Sequence, residues 1–344
     1  MSHRFSPEIG GIEVNSEIYA RAFVAAGHSV RVATWSVAAQ EDAFPFAVVR
    51  NPNGAALFKA HTWADVVFEN NPCIRLGWPG LLHSRPAVVV LNTELYLKGK
   101  GWLNLGWVKR AWLRRARTVV SVSEAVRKQF WPAASVIGNP YRAHAFRVLP
   151  GIARTGNFMF MGRLVSQKGA SLAVAAFHRV LARLAAADPA APGPLLTIVG
   201  DGPERGNLEQ QVDALGLRAH VHFKGFIEGP ALAEELNRHR FLLVPSLYGE
   251  AFGNVVLEGM ACGCVPIVSD SDGLPDAAGK AGFVFRRGDV DALADAISHV
   301  LSSPAIEQQL RAAAPAHLAA HLPDVVARRY LKLLEAAHSG GRKS

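Results

Sequence analysis

The chain alternates short apolar runs with longer segments of helical periodicity over most of its length. Runs such as Ala87–Leu91, Phe158–Met161 and Val265–Ser269 do not alternate apolar with polar residues, which is typical of strands buried on both faces of a parallel sheet. Strands that alternate with helices predict an α/β fold with parallel sheets. Because 344 residues exceed one core of ordinary size, we expect two domains.

The positive charge of the chain is concentrated in its first half. The net charge is +9. Residues 1–150 contain 18 Lys and Arg against 9 Asp and Glu, whereas residues 151–344 contain 19 of each kind. We therefore expect an anionic partner to contact the first half, and we expect no nucleic acid among the partners.

Cysteines and apolar runs bear on the compartment and on cofactors. The three cysteines, Cys73, Cys262 and Cys264, are odd in number and fit a reducing compartment. Cys262-x-Cys264 lacks the spacing and the second ligand pair of a zinc site, so we expect no metal and no other cofactor. We find no run of about 18 apolar residues and no apolar core of a signal peptide near Met1. These features predict a cytoplasmic protein, with peripheral contact to the inner membrane face through the basic half as an extension.

A polar loop followed by a short helix is predicted between Gly249 and Asp270. If the helix opens near Gly253, Glu250 lies in the loop and Glu258 lies a little over one turn inside the helix. Free N–H groups at a helix start suit a phosphate-like ligand; here they belong to Gly253, Asn254 and Val255. Adjacent carboxylates accept hydrogen bonds from hydroxyl groups. Phosphate flanked by a polyol outlines a nucleotide sugar; the alternative is a surface loop with two solvated glutamates.

A second glycine loop follows the predicted strand Phe158–Met161. It reads Gly162-Arg163-Leu164-Val165-Ser166-Gln167-Lys168-Gly169 and leads into a helical pattern. An Arg and a Lys in a loop after a buried strand are suited to clamp a diphosphate. The alternative is a solvated pair of surface cations.

Together these two stretches resemble motifs of the family 4 glycosyltransferases. Gly249–Glu258 resembles the E-x7-E motif of that family, and Gly162–Gly169 resembles its G-R-L-x-x-x-K-G element. The resemblance covers nearly the whole chain and implies the GT-B fold, two facing Rossmann-like domains. It also implies that Glu250 contacts hydroxyls of the donor sugar and that Glu258 holds the ribose. Arg163 and Lys168 would neutralise the leaving diphosphate.

The resemblance adds further donor-binding candidates in the second half. These are Gly162, Asp201, Gly202, Phe226 and Ile227. Phe226 and Ile227 would line the nucleobase pocket. The loop Gly200–Glu204 is also explained by its glycine turn and its proline near a helix start. The segment Asp272–Asp276 resembles the family's G-G-x-P-E loop with two conservative departures.

The start of the chain carries weaker signals. Gly10 and Gly11 precede a helical pattern that contains Glu13, and a glycine pair there lets the backbone approach a phosphate; an ordinary turn is the alternative. The stretch resembles the G-G-x-E loop that opens the family's N-terminal domain. In the family a full strand precedes this loop. Without such a central strand both neighbouring strands lose a partner. We therefore expect the first strand to be missing or truncated and the natural start to lie ~5–10 residues upstream.

Asn92 follows the apolar run Ala87–Leu91, where most family members carry a histidine beside the reacting sugar. Asparagine can hydrogen-bond a hydroxyl but cannot exchange a proton near neutral pH, so the role of that histidine is in doubt. Glu13 and Asn92 are the acceptor-side candidates. Residues 95–117 hold three tryptophans and seven cations. They are interpreted as a packed helix with snorkelling cations or, alternatively, as an interfacial membrane helix.

The sequence predicts an N-terminal, acceptor-side domain over residues 1–150, joined by a C-terminal helix at 324–338, and a nucleotide-sugar-binding domain over 151–323. The resemblance implies a retaining, metal-independent hexosyltransferase with a nucleotide-diphospho-sugar donor. Its acceptor would be a glycan, an anionic or lipid-linked glycan, or a small molecule. A nucleotide-sugar epimerase on the same fold and a non-catalytic nucleotide-binding partner of a transferase are the alternatives. The sequence does not identify the sugar, the base or the acceptor.

Overall fold

The computed structural model describes residues 1–8, 10–38, 43–92, 106–190 and 193–340. The chain divides into two compact units. Unit 1 comprises Met1–Pro140 with His321–Ser344, and unit 2 comprises Tyr141–Ala320. Both units are built from parallel strands connected through helices, which confirms the predicted α/β class.

The described residues of unit 1 form six short strands in two separate sheets. They are β1 (Arg31–Thr34), β2 (Ala47–Arg50), β3 (Val67–Asn70), β4 (Ala87–Leu91), β5 (Thr118–Ser121) and β6 (Ser135–Val136). β1 pairs with β2, and the other four form a sheet in the order β3-β4-β5-β6, with every pair parallel. All five residues of β4 are buried, as its uninterrupted apolar run predicts.

Helices lie between the strands of unit 1, and two of these helices begin at a side-chain cap. They are α1 (Gly11–Ala25), α2 (Gly54–Trp63), α3 (Ile74–Gly77), α4 (Gly106–Arg114) and α5 (Glu124–Phe130), with a 3₁₀ turn at Trp78–Leu81. The Asn53 side chain accepts a hydrogen bond from Ala56 N–H at the start of α2, and Ser123 Oγ accepts one from Val126 N–H at the start of α5. Such caps satisfy N–H groups that the helix leaves unpaired.

Unit 2 has one continuous sheet of six parallel strands. They are β7 (Gly156–Met161), β8 (Leu196–Val199), β9 (Val221–Gly225), β10 (His239–Val244), β11 (Val265–Ser269) and β12 (Phe283–Phe285). Their order is β12-β11-β10-β7-β8-β9. The helices are α6 (Ala170–Ala187), α7 (Arg205–Ala214), α8 (Gly229–Asn237), α9 (Asn254–Ala261), α10 (Leu274–Ala278), α11 (Val290–Ser302) and α12 (Pro304–Ala319), with 3₁₀ turns at Ser166–Lys168 and Gly279–Ala281.

Aromatic and aliphatic side chains from strands and helices form the core of unit 2. The rings of Phe158 on β7 and Phe241 on β10 stack with centroids 5.0 Å apart, and Phe177 of α6 packs edge-on against Phe158. Within the described residues α6 alone has the length and apolar composition of a membrane span, although one third of that window is buried inside the unit. Core helices pass the same test, so this is weak grounds for a span.

The last helix, α13 (Pro323–Ser339), belongs to unit 1 although it follows unit 2 in the chain. The fully buried ring of Tyr330 packs against Tyr19 of α1 at a centroid distance of 4.9 Å and against Phe68 of β3 at 5.3 Å. The structure therefore places the predicted C-terminal helix with the first domain.

The boundary between the units lies ten residues earlier than the predicted division at 150/151, because residues 141–155 pack on unit 2. Leu149 N–H donates to the Asn237 side chain at 2.8 Å, and Arg154 donates to the carbonyl oxygens of His239 and Cys262 at 2.6 Å. These partners lie 85 to 108 residues further along the chain, so local sequence could not indicate them.

The first residues of the chain lie between the two sheets of unit 1. Ser2 N–H donates to Ala33 O of β1 at 3.1 Å, and Asn70 N–H of β3 donates to Met1 O at 2.9 Å. Met1–His3 thus pair with β1 on one side and with β3 on the other.

Residues 93–105, which include Trp102 and much of the tryptophan-rich segment 95–117, lie outside the described part of the chain. From Gly106 onward the segment forms α4. Trp112 is 5 % exposed, whereas Trp107 is 71 % exposed. The described part therefore packs through Trp112 and leaves Trp107 on the surface, and membrane contact stays a prediction.

Candidate functional site

The candidate site lies at the carboxyl edge of the unit 2 sheet. β7 and β10 are neighbours at its centre, and the chain then proceeds outward through β8 and β9 on one side and β11 and β12 on the other. In open α/β sheets ligands bind at such a reversal of strand order. The loop after β7 carries Arg163 and Lys168, and the loop after β10 carries Glu250. The topology thus brings together residues 82 positions apart.

Close backbone contacts join the loops that follow β7, β8 and β9. Gly200 has a φ of 134°, and a Cβ atom added there would overlap the carbonyl oxygen of Gly162. Only glycine tolerates both the φ and the approach. Leu164 N–H donates to Asp201 O, and Gly200 N–H donates to Gly225 O, each at 2.8 Å. The three loops therefore lie side by side along the sheet edge.

Lys168 and Glu250 form an ion pair at this edge. Lys168 Nζ contacts Glu250 Oε1, and the same oxygen accepts a hydrogen bond from the buried hydroxyl of Ser246 at 2.9 Å. Glu250 is 8 % exposed, so two donors hold its carboxylate in one orientation. Arg163 is exposed, and among the described residues no carboxylate pairs with its guanidinium. One cation is therefore held in place, and a second is available to an anion.

Asp272 fixes the loop that carries Glu250. Its carboxylate accepts hydrogen bonds from the backbone N–H groups of Gly249 at 2.8 Å and Glu250 at 3.3 Å. Gly273 N–H donates to Glu250 O at 2.8 Å. The loop at 272–276 thus orients Glu250 through the backbone.

Glu258 lies inside α9 and pairs with Arg142. Nε and Nη2 of Arg142 approach Glu258 Oε1 at 3.0 and 2.9 Å, and the guanidinium also lies 4.7 Å from the ring centre of Phe146. Burial raises the pKa of the Glu258 carboxyl, and the neighbouring Arg142 opposes that rise. Both contacts use Oε1, which leaves Oε2 as an acceptor for a ligand hydroxyl.

Most other donor-binding candidates lie on the same edge. α9 begins at Asn254 after Gly253, whose φ of 100° favours glycine, so the helix starts where the sequence predicts. Asp201 accepts a hydrogen bond from Gly202 N–H through its own side chain at 2.7 Å. Phe226, directly after β9, is 67 % exposed and Ile227 is half-buried. An exposed aromatic ring at a ligand edge suits stacking on a planar base.

The candidates from the first half cluster within unit 1. Asn92 Nδ2 donates to Asn70 Oδ1 at 2.6 Å, and Asn70 Nδ2 donates to Ser16 Oγ at 2.7 Å and to Ile12 O at 3.2 Å. Asn70 thus links the end of β4 to the first turn of α1, which holds Gly11 and the buried Glu13 and is preceded by Gly10. Asn92 is 7 % exposed and helps to hold this cluster together.

The cysteines show no metal-binding arrangement. Burial raises the pKa of both Cys262 and Cys264 to about 12, and Cys264 Sγ donates to Leu236 O at 3.1 Å. In the described part of the chain no group of three His, Cys, Asp or Glu side chains is placed to hold a metal ion.

Sequence reasoning assigned no role to three residues that position the site, namely Arg142, Ser246 and Asp272. Ser246 could have been found, since it lies two residues after the buried end of β10. Asp272 stood in a recognised motif without a function. Arg142 lies 116 residues from Glu258, so no local signal indicated it.

Comparison with known proteins supports the interpretation of unit 2 as a unit similar to glycosyl transferases. Residues 152–317 match the family model described as glycosyl transferases group 1. The chain is 30% identical over 191 residues to the 2-deoxystreptamine N-acetyl-D-glucosaminyltransferase of Niallia circulans. The aligned region covers 53% of this chain and 46% of that protein. The chain spans about half the length, or less, of the curated relatives it matches.

Solved structures resemble nearly the whole chain. Anabaena Alr3699/HepE in complex with UDP has a TM-score of 0.78 at 19% identity, over 96% of this chain and 99% of that one. Sucrose-phosphate synthase from Thermosynechococcus elongatus has a TM-score of 0.76 at 21% identity, over 96% and 94%. At this identity the likeness establishes the fold, which is GT-B. Residues 152–317, just under half of the chain, are thus similar to the group 1 glycosyl transferases.

Proposed function

We propose that the protein is a retaining, metal-independent hexosyltransferase of family 4 that uses a nucleotide-diphospho-sugar donor. The observation that carries the proposal is the Lys168–Glu250 ion pair at the reversal of strand order, with the exposed Arg163 in the same loop as Lys168. Two cations suit a diphosphate, and a carboxylate with unused lone pairs suits sugar hydroxyls.

Each part of the donor has a matching group at the sheet edge. Arg163, Lys168 and the first turn of α9 face the diphosphate, because cations and helix N-termini stabilise phosphate charge. Glu250 accepts hydrogen bonds from hydroxyls of the sugar, and Oε2 of Glu258 accepts one from the ribose. Phe226 stacks on the base.

The transfer consists of one bond exchange at the anomeric carbon. The bond from that carbon to the phosphate oxygen breaks, and the nucleoside diphosphate leaves with the electron pair. The acceptor oxygen bonds to the same carbon from the same face and gives its proton to the departing phosphate. Charge on the leaving group is greatest in the transition state, so Arg163 and Lys168 contribute most there.

UDP is the first nucleotide to test. The solved neighbour HepE is described in complexes with UDP, with UDP and glucose, and with UDP-glucose. For the acceptor we propose a glycan, with a lipid-linked or anionic one favoured by the +9 net charge. A cytoplasmic location with peripheral membrane contact belongs to the same proposal.

A thermal-shift titration with UDP, GDP and ADP tests the donor site. A ligand that binds only the native state raises its apparent stability, so we expect one nucleotide to stabilise the protein selectively. The matching sugar nucleotide is then supplied with candidate acceptors, with and without EDTA, and the anomeric configuration of the product is measured by NMR.

Specific outcomes contradict parts of the proposal. Inversion of configuration at the anomeric carbon contradicts the retaining mechanism. Loss of turnover in EDTA contradicts metal independence. An epimerised donor formed without acceptor indicates an epimerase. Nucleotide binding without turnover of any donor indicates a non-catalytic partner.

A further inference from the structure

Arg205 is the first residue of α7 and lies at the carboxyl edge of the unit 2 sheet, after the loop that follows β8. Its guanidinium leans towards β9, the outermost strand on this side of the sheet. The central carbon of the guanidinium lies 4.9 Å from the ring centre of Phe223, and a cation over an aromatic face is attracted to it. Arg205 therefore lies close to the end of β9, where Phe226 begins the next loop.

Glu209 holds the guanidinium of Arg205 through one nitrogen atom. Nε of Arg205 donates to Glu209 Oε1 at 2.6 Å, across one turn of α7. No described residue accepts a hydrogen bond from Nη1 or Nη2 of Arg205. The side chain is 31 % exposed, so these two nitrogen atoms are available to a ligand. Because a guanidinium donates hydrogen bonds but accepts none, that ligand must offer an acceptor.

The neighbouring charged side chains are paired elsewhere. Lys224 Nζ donates to Glu235 Oε2 of α8 at 3.0 Å. The carboxylate of Glu204 accepts hydrogen bonds from Ser166 and Asn207, each at 3.3 Å. Within the described part of the chain, the carboxylate that pairs with Arg205 is therefore that of Glu209, and it engages Nε alone.

The end of β9 leaves space beside the free donors of Arg205. The register between β8 and β9 shifts after Ile198, so that Val199 pairs with Gly225 and Lys224 has no partner residue in β8. Gly225 has a φ of 70°, which favours glycine. Beyond the adjacent residues, a Cβ atom added at Gly225 would meet one described atom within 4 Å, Nη1 of Arg205 at 3.9 Å. Nη1 therefore lies next to a backbone position that carries no side chain.

Free guanidinium donors distinguish nucleotide bases by the group at one ring position. Uracil presents a carbonyl oxygen where cytosine presents an amino group, and guanine presents a carbonyl oxygen where adenine presents an amino group. A carbonyl oxygen accepts a hydrogen bond from Nη1 or Nη2 of Arg205, whereas an amino group only donates. Two donors that face each other leave both hydrogen bonds unmade, which is costly where water is excluded.

We propose that Arg205 selects the base of the nucleotide donor by donating a hydrogen bond to the carbonyl oxygen of uracil or guanine, and that it discriminates against cytosine and adenine. This inference rests on the proposed function, because it places the base on Phe226, the residue directly after Gly225. Glu209 is a positioning residue, since its contact with Nε keeps Nη1 and Nη2 beside Gly225.

Calorimetric titration of the full chain with UDP, CDP, GDP and ADP tests this selection. In the wild-type chain we expect the carbonyl-bearing member of one pair, UDP over CDP or GDP over ADP, to bind tighter by roughly tenfold or more. Arg205→Met keeps an unbranched side chain against Phe223 but has no donors. It should weaken binding of the preferred nucleotide by roughly tenfold and leave its amino-bearing counterpart unchanged. The control is Arg218→Met, which changes an exposed arginine beyond the far end of α7 and should preserve the preference.

The outcomes separate base selection from the donor site itself. A wild-type chain that favours the carbonyl-bearing member of neither pair overturns the proposal, and this comparison needs no variant to fold. A preference that survives Arg205→Met also overturns it. So does an equal loss of affinity for all four nucleotides, because the diphosphate is what they share. In these cases nucleotide binding leaves the proposed function intact, whereas a wild-type chain that binds none of the four nucleotides contradicts both.

Discussion

The two units differ in how their parallel strands are paired and in where their polar side chains lie. In unit 2 six strands pair without interruption, and the polar side chains of the site lie in loops beyond the carboxyl edge. In unit 1 the strands divide into sheets of two and four, and charged or polar side chains such as Glu69 and Asn70 lie within β3 itself. The loop groups of unit 2 meet because their strands are neighbours in the sheet, whereas the buried polar groups of β3 take partners from helices α1 and α4.

Glu69 shows what such a group requires. It is 1 % exposed, and its carboxylate accepts hydrogen bonds from Trp112 Nε1 at 2.9 Å and Arg115 Nη2 at 2.8 Å. Burial raises the pKa of Glu69, and both donors oppose that rise. These donors come from α4 and the residue after it, more than 40 positions away. Unit 1 therefore depends on contacts between a strand and a distant helix, whereas the site of unit 2 depends on contacts between loops at the sheet edge.

The largest expected effect tests this dependence. Arg115→Met should destabilise unit 1 by about 3 kcal/mol, because it removes the cation that pairs with a buried carboxylate. Urea unfolding monitored by tryptophan fluorescence measures the change. Arg328→Met is the control, because the Arg328–Asp324 pair is two-thirds exposed and such pairs contribute little. Equal effects of the two substitutions would remove the contrast between the units.

Lys168→Ala tests whether the loops of unit 2 act mainly in the transition state. We expect kcat to fall by about 10²- to 10³-fold, as for loss of one group that stabilises developing charge, while the Kd of the bare nucleotide changes much less. Steady-state kinetics and calorimetric titration give the two quantities. The exposed Lys280 provides the control substitution, Lys280→Ala, which should change neither. Equal losses in kcat and nucleotide affinity would indicate a purely structural lysine.

Gly200→Ala tests the backbone contact between the loops. Its φ and the carbonyl of Gly162 both exclude a Cβ atom, so we expect a loss of about 1–3 kcal/mol in stability. Gly206 in α7 is the matched control, because a Cβ atom there meets nothing within 4 Å. Gly206→Ala should be neutral or stabilising by up to about 1 kcal/mol. Thermal unfolding of both variants measures these changes in stability. An unchanged Tm of the Gly200→Ala variant would show that the loops after β7 and β8 are free to separate.

Arg142→Gln gives the smallest effect and concerns pH. Arg142 lowers the pKa of Glu258 against the effect of burial, so its removal lets the carboxyl hold its proton to higher pH. A protonated Glu258 binds ribose less well, and the acid limb of kcat/KM for the donor should therefore move to higher pH. Arg183→Gln, on the exposed face of α6, should leave the profile in place. A downward shift in Arg142→Gln would contradict the assigned role.

The sequence by itself determined the α/β class, the buried strands at 87–91, 158–161 and 265–269, and the site loops of unit 2. These features are local, because an apolar run followed by a glycine turn specifies a buried strand and its exit whatever surrounds it. α12 escaped prediction because none of its residues is fully buried, so its sequence has no clear apolar stripe. The boundary near residue 150 was wrong by ten residues because residues 141–155 bind unit 2 through distant partners.

Only the tertiary structure decided which polar groups meet. The Lys168–Glu250 pair spans 82 positions and the Arg142–Glu258 pair spans 116, and neither spacing is encoded in a local pattern. The same holds for the hydrogen bonds that place Met1–His3 between β1 and β3. Such contacts depend on strand order and helix packing. These follow from burying the whole apolar surface at once, so no short stretch of sequence specifies them.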